Sequence, residues 1–116
     1  MAKKILIIDD EEDIIKYLEA LFSDEGYETV SACNGVEAVD VVKREKPDLI
    51  TLDLQMPEDT GTAFYRKIHR DKELNQIPII VISGVSGRNL AVPRTVAVFS
   101  KPPDPEELLK VIKSTI

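Results

Sequence analysis

Three aspartates, a serine and a lysine carry the reactive groups of this chain, and each stands at the end of an apolar run. Asp9 and Asp10 follow residues 5–8, Asp53 closes 49–53, Ser83 follows 79–82, and Lys101 lies just past 96–99. A carboxylate is costly inside a buried strand and far cheaper at its end, where the backbone meets water. Three carboxylates held close together do not all stay ionised without a counter-charge. A hard divalent cation supplies one, and oxygen ligands in an open, water-retaining site suit magnesium. Magnesium bound this way also takes phosphoryl oxygens, and the Ser83 hydroxyl and Lys101 ammonium are natural partners for the others. Asp53, at the tip of a central strand, is placed to be a nucleophile, and an acyl phosphate on aspartate is established enzyme chemistry. The metal and Lys101 would then neutralise charge on the transferring group.

The elements that must bring these residues together alternate along the chain. Short, β-branched apolar runs at 5–8, 27–32, 49–53, 79–82 and 96–99 read as strands. Between them lie helical patterns. Asp9 to Asp13 are five acids in a row; the first can cap a helix, and the later ones meet the positive end of its dipole. That helix turns Ile14, Ile15, Leu18, Leu21 and Phe22 to one side, and Gly26 ends it. Asn34-Gly35 opens a second helix, with Ala38, Val39 and Val42 inward, which Pro47 stops. Asp59 or Thr60 caps a third, burying Ala63, Phe64 and Ile68. Residues 85–95 hold Gly87, Pro93 and a thin stripe of Val85, Leu90 and Val92, so a fourth helix there is expected to be short or irregular. Asp104 or Pro105 opens the last, with Leu108, Leu109 and Ile112 inward. Five alternations of strand and helix predict an α/β fold, a doubly wound parallel sheet with helices on both faces. Right-handed crossovers put every strand end on one edge, where ligands of open α/β sheets bind.

Composition narrows the function classes. The chain has 116 residues, enough for one core, so residues 1–116 are read as one domain. Hydrophobic residues are 43% and charged ones 31%, as in ordinary globular proteins, while aromatics are 5% and Trp is absent, so the core must be aliphatic. A net charge of −6 argues against a nucleic-acid surface and for cationic partners or a metal. No apolar run approaches the roughly 20 residues of a membrane helix. The single cysteine, Cys33, forms no internal disulfide, which fits a reducing cytoplasm; it reads as a small structural residue near a strand end. His69, among Arg66, Lys67 and Arg70, reads as a solvated surface histidine.

The set Asp9-Asp10, Asp53 with Met56-Pro57 and Gly61, Ser83-Gly84, and Lys101-Pro102 resembles the receiver domain of two-component response regulators, from one end of the chain to the other. Each piece alone is common; all five, in order and each at its strand end, are specific together. The resemblance implies a flavodoxin-like sheet of order 2-1-3-4-5. It makes Asp53 the phospho-acceptor, with the phosphoryl group coming from a histidine kinase or a histidine phosphotransfer domain. It gives magnesium Asp10 and Asp53 as direct ligands, Asp9 through water, and the backbone carbonyl of Gln55. Ser83 becomes the switch hydroxyl and Lys101 the phosphate-sensing amine, with a cis bond expected before Pro102.

Two departures from that pattern stand out. The family usually carries Tyr or Phe three residues before the lysine; Val98 stands there, and strand alternation turns neighbouring Phe99 to the opposite face. The segment from Ser83 to Lys101 is also about one helical turn short, which argues against the standard signalling face built on the fourth helix. Val85, unable to orient a water by hydrogen bonding, predicts slow loss of an Asp53 phosphate. Other readings compete. A receiver-fold scaffold with lost switching is favoured only by Val98. An aspartyl phosphohydrolase usually needs a second acid two residues after the nucleophile, where Gln55 stands. A flavodoxin-like cofactor binder needs a hydroxyl- and glycine-rich loop after the first strand, where Asp9 to Asp13 would repel phosphate.

Overall fold

The structure is a computed structural model that describes residues 2–53, 60–83, 95–101 and 103–116. Its elements in chain order are β1 (Lys4–Ile8), α1 (Glu12–Asp24), β2 (Glu28–Ala32), α2 (Gly35–Glu45), β3 (Leu49–Leu52), α3 (Thr60–Arg70), β4 (Ile79–Ser83), β5 (Thr95–Ser100) and α4 (Pro105–Thr115). The strands form one sheet in the order β2-β1-β3-β4-β5, all pairs parallel, as expected. Most of the stretch expected to hold a short or irregular helix, 85–95, lies outside the described residues. So do Gln55, Met56, Pro57, Asp59, Gly84, Val85 and Pro102 with the bond before it.

Period-two alternation sorts the strand residues between two apolar layers. Leu6, Ile8, Ile50, Leu52, Ile79 and Val81 pack with Ala38, Val39 and Val42 of α2 and Phe64 and Ile68 of α3. Ile5, Ile7, Leu49, Ile80 and Ile82 pack on the other side with Leu18 and Phe22 of α1 and Leu108 and Ile112 of α4. Because both faces of β1 and β3 are covered, these strands are apolar at nearly every position. The edge strand β5 differs: its residues alternate between half-buried and exposed. Val98 is 45% exposed, whereas Phe99 packs into the layer shared with α1 and α4. The two neighbours face opposite ways, so Phe99 does not replace the missing aromatic ring.

Local signals set the helix ends. The Asn34 side chain accepts the Glu37 N–H at 2.8 Å, and that of Asp104 accepts the N–H groups of Glu106 and Glu107; each satisfies donors left free by the first turn. At the end of α1, Gly26 takes a φ of 89°, which only glycine adopts at little cost. Its N–H bonds the Ser23 carbonyl and that of Tyr27 the Phe22 carbonyl, a Schellman closure. The acid run also offered Asp9 as a possible cap for α1. Asp9 is not the cap: Glu11 holds that position and makes no side-chain capping bond.

Candidate functional site

Register places the reactive residues on one sheet edge. Ile8 pairs with Leu52, so Asp9 and Asp53 leave adjacent strands side by side. Their backbones are tied in: Asp9 N–H donates to the Ala32 carbonyl at 3.2 Å, and Asp53 N–H to that of Ile8 at 3.0 Å. Ser83, the last residue of β4, pairs with Ser100, the residue before Lys101. The central β3 strand thus delivers Asp53 between Asp9 on one side and the ends of β4 and β5 on the other.

Lys101 ties this edge together. Its ammonium lies 2.9 Å from Asp9 Oδ2, 3.0 Å from Glu11 Oε1 and 3.1 Å from Asp53 Oδ2. Asp9 and Asp53 are each 2% exposed, and the lysine side chain 11%. Two buried carboxylates and an ammonium in contact form a mutually dependent set, since any one left alone would be an uncompensated charge. Burial opposes the charge on Lys101, but its bonds to Asp9, Glu11 and Asp53 outweigh that and raise its pKa above the ordinary 10.5. The Asp9 carboxyl is also raised, from 3.8. Burial is the main cause, offset in part by the Glu11 N–H that Asp9 Oδ1 accepts at 2.8 Å and by Lys101.

One carboxylate oxygen from each of Asp9, Asp10, Glu11 and Asp53 lies within 4.8 Å of the others. All are hard oxygen donors, two buried and two exposed, so one side of the cluster is open to water. That donor set fits a magnesium ion that keeps part of its hydration shell. Lys101 brings one positive charge to these four carboxylates.

Glu11 is the residue that sequence reasoning missed. Its place in an acid run beside a helix start pointed to the helix dipole, yet its carboxylate reaches Lys101, 90 residues away. No signal in the sequence singled it out, because the three expected acids already match the three N–H groups of an ammonium. Cys33 lies at the same edge but is exposed rather than packed, with its thiol 3.3 Å from Glu37 Oε2. That bond raises the thiol pKa and keeps the group protonated. His69 is exposed on α3, as expected.

Replacing Lys101 by methionine tests the dependence directly. Asp9 and Asp53 lose their counter-charge, and the fold is expected to lose about 3 kcal/mol at neutral pH. Asp9 loses an influence that lowers its pKa, so that value moves further up, as a carboxyl ¹³C titration will show. An acid with a raised folded pKa favours the fold fully below its unfolded value, here near 3.8, and that contribution fades as pH rises through the folded value. The variant's deficit should therefore shrink on acidification. In the wild type, the share due to charged Lys101 is present below 10.5 and is lost as pH rises through the higher folded value. An Asp9 pKa that stays put in the variant would contradict this account of the pocket.

Comparison with known proteins adds to this geometry. The family model for the response regulator receiver domain matches residues 5–113. Protein Rrf1 of Nitratidesulfovibrio vulgaris is 33% identical over 112 residues, covering 97% of this chain and 81% of its own length. The polar-differentiation response regulator DivK of Brucella anthropi is 37% identical over 83 residues, covering 72% of this chain and 68% of its own. Among solved structures, the chemotaxis protein CheY4 of Vibrio cholerae superposes with a TM-score of 0.88 at 28% identity, covering all of both chains.

Proposed function

Since this chain belongs to the response regulator receiver domain family of two-component signalling, we propose that Asp53 is its phospho-acceptor and that residues 1–116 act as one phosphorylation switch. An Asp53 carboxylate oxygen attacks the phosphorus of a phosphorylated histidine on a kinase or phosphotransfer domain. The new O–P bond forms as the N–P bond breaks, and the imidazole leaves. The domain acts on its own side chain, as a signalling module rather than a metabolic enzyme. Its setting is the cytoplasm; among the described residues, no helix is long and apolar enough to cross a membrane.

One observation carries the reading: a lysine from the end of β5 touches the carboxylate at the end of β3, 48 residues away, beside a second buried acid. Magnesium would be held by Asp10 and Asp53 directly, by Asp9 through water and by the Gln55 carbonyl. When bound it supplies positive charge to the phosphoryl oxygens and to the crowded carboxylates. Asp53 provides the nucleophilic oxygen. Lys101 pairs with a phosphoryl oxygen after transfer, and the Ser83 hydroxyl donates to another. Lys101 already lies within 3.1 Å of the Asp9 and Asp53 carboxylates, which supports this division of roles.

Intact mass spectrometry with acetyl phosphate as donor tests the proposal. One phosphoryl adduct is expected with magnesium and none with excess EDTA; an equal adduct in both would contradict it. The lifetime of the adduct is a separate matter. Val85→Glu adds a side chain able to orient an attacking water and is expected to shorten the half-life. An unchanged half-life would remove Val85 from the account.

A further inference from the structure

We infer that Glu11 is a positioning residue for Lys101: it is the perch that keeps the ammonium at the mouth of the pocket when the buried carboxylates turn to a divalent cation. The inference rests on the receiver reading of the pocket; Glu11 belongs to the same cluster of carboxylates but is not among the ligands that reading assigns to magnesium, and it receives a separate role here.

Lys101 has three carboxylate partners, and they differ in kind. Asp9 and Asp53 are buried at the strand ends, and both belong to the expected metal set. An ammonium and a divalent cation repel one another and compete for these same oxygens. Glu11 is the third partner, with a side chain 60% exposed. It occupies the N-cap position of α1 without making a capping bond, so its carboxylate is not engaged by the helix it precedes. The neighbouring Glu12 is paired with Lys16 on the helix surface. The Glu11 backbone is fastened to the pocket, its N–H donating to Asp9 Oδ1 at 2.8 Å. A flexible carboxylate on a fixed backbone, already 3.0 Å from the amine, can stay with it as it withdraws from Asp9 and Asp53.

The energetic consequence has one sign. Removing Glu11 takes one of three carboxylates from the ammonium in the metal-free chain but its last one in the metal-loaded state, so the loaded state rises the more in energy. The loss of one negative charge near the metal acts in the same direction. Only the first effect requires Lys101, so a double-mutant cycle separates them.

The experiment is magnesium titration by calorimetry of wild type, Glu11→Gln, Lys101→Met and the double variant, with circular dichroism confirming that each is folded. Glu11→Gln should weaken magnesium binding roughly five- to tenfold in the wild-type background but about twofold or less without Lys101. Equal factors in both backgrounds would overturn the inference, leaving Glu11 a simple charge or a metal ligand. Should Lys101→Met not fold, Lys101→Gln takes its place in the cycle. Magnesium binding left unchanged by Asp53→Asn would instead sink the reading of the pocket, and the inference with it.

Discussion

Asp53→Asn is expected to lose phosphoryl uptake from acetyl phosphate, with the rate falling by roughly a thousandfold or more, as when an enzyme nucleophile is removed. The substitution is nearly isosteric, so the loss is chemical. An amide oxygen is a poor nucleophile, while it still accepts a hydrogen bond from Lys101, which lies 3.1 Å from the carboxylate in the native chain. The backbone N–H of residue 53 keeps its bond to the Ile8 carbonyl. Circular dichroism should therefore show a native fold in a protein that stays unmodified. Uptake at the wild-type rate would move the acceptor elsewhere.

The second large effect falls on stability. Phe22→Ala should destabilise the domain by about 3–5 kcal/mol, a large part of the roughly 5–15 kcal/mol that holds a domain folded. Phe22 is fully buried on α1, among Ile5 and Ile7 of β1 and Leu108 and Ile112 of α4. Truncation opens a cavity between two helices and the sheet, and the rigid strands beneath cannot collapse into it. Lys16→Ala, on the exposed face of the same helix, removes only a solvent-exposed pair with Glu12 and should change stability by less than about 0.5 kcal/mol. Urea unfolding of both variants measures the contrast. A Phe22→Ala midpoint close to wild type would contradict the packing described for α1.

The strands were legible because each is an apolar run cut off by a charged or turn residue. The same cut-off marks the strand end, so Asp9, Asp53 and Lys101 announced their shared edge before any register was known. Strand order was not legible from periodicity, which is alike for every buried strand; it came through the resemblance. What stayed hidden depends on side-chain reach. Glu11 sits in a run of acids that a helix start explains equally well, and only the return of Lys101 from the far end of the chain gives it a partner. The capping role that the acid run also offered Asp9 is ruled out by the same contacts. A carboxylate near a helix start resembles a cap, but burial and Lys101 engage one of its oxygens while the other accepts the N–H of Glu11. Val98 shows the reverse: simple alternation along β5 placed it and Phe99 on opposite faces, and their burial agrees.

The most direct test of the central claim is to locate the phosphoryl group. After treatment with acetyl phosphate and magnesium, borohydride reduces an aspartyl phosphate to homoserine, and tandem mass spectrometry of the digest finds where. The account predicts homoserine at position 53, dependent on both reagents. Homoserine at another aspartate, or a phosphoryl group that survives on a hydroxyl side chain while Asp53 stays intact, would contradict it.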